Sequence, residues 1–285
     1  MNQGYVSLFL NSSLANFEPS AALTLFFLFM ARILPVIALS PFFGARVLPN
    51  PVKAAFGICL FAIFLPKLLI VTTTPIQFNL NAIFLMAKEV FIGFSIGFLI
   101  SLPFTIVTSA GIIIDHQRGG ASLMVNDPTV QNQSSPLGTL FNQILIYLFY
   151  FLDAPFLILD LIITSYDIIP PDRFLTLDFF LRDTEFWKMQ MNILNRVMIV
   201  SIQLATPALL IMLMTDLFLG IANRLAPQVQ ITFLGMALKS LLGLGIVCIG
   251  WNLLVEEMGR DVYYWVNQIG EMLRMMKPGV APPPT

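Results

Sequence analysis

An all-α integral membrane protein of about six long hydrophobic helices is the fold class this sequence predicts, and three observations predict it. Charged side chains make up 11% of the 285 residues, less than half the usual share, while 57% are hydrophobic and the mean hydropathy is +0.83. Fifteen Lys and Arg and sixteen Asp and Glu are too few to clothe a soluble domain of this length. The second observation is a set of six apolar runs, each near the roughly 20 residues needed to span about 30 Å of hydrocarbon at about 1.5 Å per residue. The third is their content: Leu, Ile, Phe, Ala and Met dominate with no lasting alternation, so the runs read as helices rather than barrel strands.

The runs are 21–39, 54–71, 82–107, 140–163, 193–219 and 231–255. No Lys or Arg precedes the first one, so a cleavable signal peptide is not expected and the first helix is expected to stay. Polar and helix-breaking residues interrupt the runs: Arg32 and Pro35, then Pro66, then Lys88, Glu89 and Pro103. Asp153, Pro155 and Asp160 interrupt the fourth, Gln203, Pro207 and Asp216 the fifth, and Lys239 the sixth. A charge facing lipid at a helix centre costs about 2.5 to 3.5 kcal/mol, so these side chains are expected to face protein or water. Each proline removes a backbone donor and invites a kink, which neighbouring helices must make good. Gly93 and Gly97 in FIGFSIGF form a small-xxx-small pair, read first as a place where another backbone packs closely.

Between the runs, 164–190 is the chief hydrophilic loop, with Pro170, Pro171 and five acids. Residues 256–277 mix charges with Tyr263, Tyr264, Trp265, Ile269, Met272, Leu273 and Met276, the pattern of an amphipathic C-terminal helix. Residues 278–285 form a Pro-rich tail expected to be disordered, leaving 1–277 as a single helical domain. Basic residues do not orient the chain. Alternate connections hold four on one side (Arg46, Lys53, Arg118, Arg224) and seven on the other, and the richer side also holds most of the acids.

A net charge of −1 and no basic patch exclude a nucleic-acid partner. Cys59 and Cys248 lie far apart inside apolar runs, so neither a disulfide nor a zinc site is expected, and no cofactor is implied. His116 is the only histidine, beside Asp115 in sequence rather than arranged across a site. There is no HExxH, Walker A or GxGxxG, and no GxSxG nucleophile elbow is expected. Asp153 and Asp160, seven apart, sit about 10 Å apart along a helix, too far to share a proton. No catalytic residue is assigned and the chain is not read as an enzyme.

The stretch 111–138, GIIIDHQRGGASLMVNDPTVQNQSSPLG, divides the two hydrophobic halves as a central polar, glycine-bearing interruption. After three isoleucines come Asp115, His116, Gln117 and Arg118, then Gly119 and Gly120, an apolar patch of Leu123, Met124 and Val125, and Asn126, Asp127 and Pro128. The glycines permit a bend and Met is an adaptable filler, so the segment suits either a gate that occludes a passage or a loop that caps helix ends. A rival reading is a polytopic secondary transporter. It takes Asp153, Asp160, Asp216 and Lys239 as an ion path and the proline-broken helices as a carrier's discontinuous spans. Against it stands the expectation that these charges pair with a neighbouring subunit. No inverted repeat is found.

The run Gly111, Asp115, Gln117, Arg118, Gly119, Asp127, Pro128, Ser135, Pro136, Leu137 and Gly138 resembles the SctT family of type III secretion export components, whose flagellar relative is FliR. Arg32 with Pro41, Phe42, Phe43, Gly44, Pro51, Val52 and Lys53 resembles the family's first helix and its exit turn. Lys88, Glu89, Gly93, Gly97 and Phe104 resemble its third helix. Asp216, Gly220, Arg224, Ala226, Pro227, Gln228, Met236, Leu238, Lys239 and Ser240 resemble the link between its last two long helices. The IDxQRG form is that of the virulence-type branch. The resemblance implies an export-gate component of the bacterial inner membrane, much of it raised toward the periplasm, through whose pore unfolded proteins pass. It implies SctR/FliP-like and SctS/FliQ-like subunits as partners, an SctU/FlhB-like switch protein wrapping the base, a needle or inner-rod protein, and membrane lipid. It assigns Gly111, Asp115, Gln117, Arg118, Gly119, Gly120, Leu123, Met124, Val125, Asp127 and Pro128 to a plug. Arg32, Lys88, Glu89, Gly93, Gly97, Asp216, Arg224, Pro227, Gln228 and Lys239 it assigns to packing and assembly.

Overall fold

A computed structural model describes residues 19–43, 48–72, 79–119, 125–126, 133–174, 185–225 and 231–275. Among them the fold is all-α. The helices are α1 (Pro19–Leu39), α2 (Asn50–Val71), α3 (Leu80–Gln117), α4 (Pro136–Phe151), α5 (Ala154–Ile168), α6 (Glu185–Leu225), α7 (Ile231–Ile249) and α8 (Trp251–Met275). A short 3-10 turn at Pro41–Phe43 follows α1. The one exception to helix is an antiparallel ladder of β1 (Val125–Asn126) and β2 (Gln133–Ser134), pairing Val125 with Ser134 and Asn126 with Gln133.

Among the described residues, Ala21–Leu39, Asn50–Val71, Leu80–Gln117 and Trp187–Leu225 are each long and apolar enough to cross a membrane. The count rises to six if α4 with α5 and α7 with α8 each make one broken span. The expected six runs are therefore present with different ends. The third does not stop at Val107 but runs on to Gln117, and the fifth is extended at both ends. The fourth is broken at Asp153, whose φ of 54° is left-handed, a conformation costly for a residue with a Cβ. The sixth ends at Gly250 rather than Val255, turning by 63° into α8. The amphipathic helix accordingly starts at Trp251, and the 164–190 loop shrinks, because α5 continues to Ile168 and α6 starts at Glu185. Pro35, Pro66, Pro103 and Pro207 all lie inside continuous helices.

Where the sequence predicts one helical domain, the chain contacts form two compact units. The first holds residues 1–101, 153–191 and 264–285. Its core is striped at helical spacing, with Phe29, Ile33 and Ile37 on α1, Ile92 and Ile96 on α3, and Ile158, Ile162 and Tyr166 on α5. The Phe29 ring meets Phe61 and Phe64 of α2 and stacks on Tyr166, at centroid distances of 5.4, 5.9 and 6.0 Å. Trp265, Ile269, Met272 and Leu273 form the buried stripe of the α8 end. The second unit holds 102–152 and 192–263. There Phe141, Leu145 and Phe149 of α4 are buried, with Phe104 of α3 at 5.3 Å from the Phe149 ring, and Leu204, Ala208 and Met212 stripe α6.

Candidate functional site

Two buried polar clusters, one in each unit, hold Arg32, Lys88, Glu89 and Asp115, the buried charged side chains among the described residues. In the first, the Arg32 guanidinium is wholly buried and grips Glu89 of α3 as a fork. Nη2 donates to Glu89 Oε1 at 2.9 Å and Nε donates to Oε2. Nη1 donates to Ser165 Oγ at 2.9 Å, Nη2 also donates to the Ile169 carbonyl at 2.9 Å, and the guanidinium carbon lies 3.9 Å from the Tyr166 ring centroid. Lys88 Nζ reaches Glu89 Oε1 at 2.8 Å and the carbonyls of Pro170, Pro171 and Arg173 at 2.8, 3.2 and 2.8 Å. Two cations thus share one carboxylate, and carbonyl dipoles supply the rest of the compensation that burial demands.

Glycine makes this approach possible. A Cβ on Gly93 would overlap the Arg32 carbonyl, and one on Gly97 would lie 3.0 Å from the Pro35 oxygen and from Val36 Cα. Glu89, Gly93 and Gly97 recur at four-residue steps, so one face of α3 receives the α1 backbone. The same stretch corrects the expectation that no GxSxG is present. Gly93 to Gly97 does spell GxSxG, but it lies inside α3, and Ser95 Oγ donates back to the Phe91 carbonyl at 2.9 Å. A helix interior lacks the strand-to-helix turn that exposes such a serine.

The second cluster sits at the end of α3. Asp115 is buried on its last turn, so Gly111, Asp115 and Gln117 belong to the helix rather than to a loop. Arg118 donates to Asp115 Oδ1 from Nε at 2.8 Å and from Nη2 at 2.6 Å. Oδ2 accepts the Ser135 hydroxyl and the Leu137 N–H, the latter at 3.0 Å. Ser135 is the N-cap of α4, accepting the Gly138 N–H at 2.9 Å, with Pro136 in the first turn. The carboxylate therefore lies at a helix N-terminus, where backbone donors and the helix dipole favour negative charge. A Cβ on Gly111 would overlap Gly138, and one on Gly138 would sit 2.9 Å from the Thr108 carbonyl, so α3 and α4 touch backbone to backbone. Gly119 ends α3 with φ 86°, a conformation glycine adopts freely.

The remaining assigned residues divide plainly. Lys239 of α7 pairs with Asp216 of α6, which corrects the expectation that both pair with a neighbouring subunit. Arg224 is exposed near the end of α6, and Val125 lies in β1. Gly120, Leu123, Met124, Asp127, Pro128, Pro227 and Gln228 lie outside the described residues. Sequence reasoning assigned no site role to Ser135, Ser165 or Tyr166. Ser135 was findable, since Ser followed by Pro at the head of an apolar run is a helix-start signal. Ser165 and Tyr166 carry no such signal, because their role comes from a partner on α1.

These features define a class: a membrane-embedded helical protein whose buried charges join helix to helix. The description "Bacterial export proteins, family 1" matches residues 23–263, and the chain belongs to this family. The secretion system apparatus protein SsaT of Salmonella typhimurium strain LT2 is 32% identical over 217 residues, 75% of this chain and 79% of that one. Yop proteins translocation protein T of Yersinia pestis is 32% identical over 157 residues, 55% and 58% of the two chains. The flagellar biosynthetic protein FliR of Pectobacterium carotovorum is 28% identical over 232 residues, 79% and 82% of the two. Higher identity to the first two places the chain on the SctT side of the family rather than the FliR side. It is a membrane-embedded bacterial export protein, and the relatives lend the carrier reading no support.

Proposed function

We propose that the chain is a structural and gating subunit of the type III export apparatus of the bacterial inner membrane, with 115–128 as the plug of a pore for unfolded protein substrates. The observation that carries this reading is the Asp115 anchor. One buried carboxylate holds the end of α3, through Arg118, and the start of α4, through Ser135 and Leu137. The chain thus leaves α3 and enters α4 at a single fixed base, as a plug that opens without unseating either helix requires. Gly119 and Gly120 supply the bend, and Leu123, Met124 and Val125 the apolar seal. Asp127 and Pro128 complete the segment assigned to the plug.

Helix length supports a protein partly raised out of the bilayer. The 38 residues of α3 and the 41 of α6 are about 57 and 62 Å long at 1.5 Å per residue, near twice the hydrocarbon thickness. Exposed apolar side chains on α2 and α6, such as Ile63, Ile70, Met198 and Met214, suit lipid and SctR-like and SctS-like neighbours. Arg224, Pro227 and Gln228 are assigned to that assembly, with an SctU-like protein at the base and a needle or inner-rod protein beyond.

Deleting residues 119–125 is expected to raise ion and small-molecule leak across the membrane while the complex still assembles. Unchanged leak with normal assembly overturns the plug. Copurification in mild detergent tests the setting: SctR-like and SctS-like partners are expected, whereas a homodimer alone favours a carrier.

A further inference from the structure

A cavity of about 520 Å³ opens in the second unit at the bend between α7 and α8, a size within the roughly 300 to 1,000 Å³ of ligand sites. Its floor is apolar and buried, made by Ile114 of α3, Leu204 and Ala208 of α6, and Val247 of α7. Ile249 and Leu253 line it while 84% and 73% exposed, so the apolar surface continues outward past the bend. Polar groups are few and placed apart. Pro207 has no N–H, which leaves the Gln203 carbonyl without its helical donor, and Gln203 lines the cavity. On α8, Glu256 and Glu257 stand one turn beyond Leu253 and Arg260 two turns beyond it.

The buried apolar floor offers water no polar partner, and in a membrane the filler at hand for it is hydrocarbon. The charged side of the lining narrows the choice. Arg260 donates to Glu257 and to Glu256, each at 3.2 Å, so two carboxylates share one guanidinium and a negative charge is left over. An anionic headgroup meets that excess charge unfavourably. A headgroup bearing both phosphate and ammonium matches it: the phosphate takes the Arg260 fork, and the ammonium takes the carboxylates it releases.

We propose that the cavity at the α7–α8 bend, lined by Ala208 and Leu253 and edged by Glu256, Glu257 and Arg260, binds a zwitterionic aminophospholipid, with acyl chain inside and headgroup on the charged edge. The lipid fills the angle of a helix pair bent by 63° and so holds that bend. This site stands whether or not 119–125 acts as a plug.

The test uses the full chain, with whatever subunits copurify, in detergent. Phosphatidylethanolamine and phosphatidylglycerol of equal chain length are added, and retained lipid is read by native mass spectrometry. Wild type is expected to retain phosphatidylethanolamine about tenfold better. Ala208→Phe fills the floor and is expected to reduce retention about tenfold. The exposed double variant Glu256→Gln with Glu257→Gln, which leaves the core untouched, is expected to erase the preference between the two lipids. Equal retention of both lipids by wild type, or an intact preference in the double variant, overturns the proposal. So does a photo-crosslinking residue at position 253 that attaches to a second protein rather than to lipid.

Discussion

The Arg32 and Asp115 clusters are both built on a buried ion, and they differ in where their partners come from. Arg32 reaches residues 57, 133 and 137 positions away, so it joins segments that only the finished fold brings together. Asp115 reaches residues 3, 20 and 22 positions away, so it closes one excursion of the chain upon itself. A distant network of that kind is a lock on the fold. A local one ties the end of α3 to the start of α4. The same chemistry, a charge-assisted fork in an apolar surrounding, thus joins distant segments in one unit and neighbouring helix ends in the other.

The contrast breaks first at Glu89. Glu89→Ala leaves Arg32 and Lys88 buried without their shared anion, and is expected to cost about 3 to 5 kcal/mol. Thermal unfolding of the purified protein reads this as a large fall in Tm, and low yield from the membrane reads it in cells. Replacing Arg32 and Glu89 together by Met is expected to restore part of the loss, since only Lys88, still held by the carbonyls of Pro170, Pro171 and Arg173, then lacks an anion. A Glu89→Ala protein of unchanged Tm removes the lock.

Asp115→Ala is expected to cost less, about 1.5 to 3 kcal/mol, the value of hydrogen bonds to a charged group. Its distinguishing result is local. Proteolysis within 118–135 is expected to rise well below the unfolding temperature, whereas in Glu89→Ala cleavage is expected to follow global unfolding. If both variants open the segment equally, the two clusters do the same work. Gly119→Ala forces a side chain into a left-handed conformation and is expected to cost about 1 kcal/mol, again with early cleavage of the segment.

How much of this was legible follows from what each feature depends on. The six apolar runs were readable because hydropathy is local. Their ends were not: Thr108, Ser109 and Gly111 look like a helix ending, yet α3 continues through them, because Gly111 is there to meet Gly138. The Asp153 break was half marked: Asp153 with Pro155 is a helix-start signal like Ser135 with Pro136, but nothing in the run announces the left-handed backbone. Gly93 and Gly97 announced a close backbone by their spacing, but not that the backbone would be that of Arg32. The pairing of Arg32 with Glu89 was out of reach, because nothing within either helix encodes a partner 57 residues away.

The smallest effect expected is at Lys239 and Asp216, and it decides whether the second unit holds a second kind of charge. Their side chains are 22% and 38% exposed, unlike the fully buried Arg32 and Glu89, so water screens the pair. A double-mutant cycle with Asp216→Asn and Lys239→Met is expected to give a coupling of about 0.2 to 1 kcal/mol in unfolding, the range of solvent-screened pairs. Secretion by each single variant is expected to follow the amount of assembled protein. If Lys239→Met instead assembled normally and abolished coupled uptake of a small solute, the pair would be part of an ion path. The membrane cost of its charges would then be retained for transport rather than for packing.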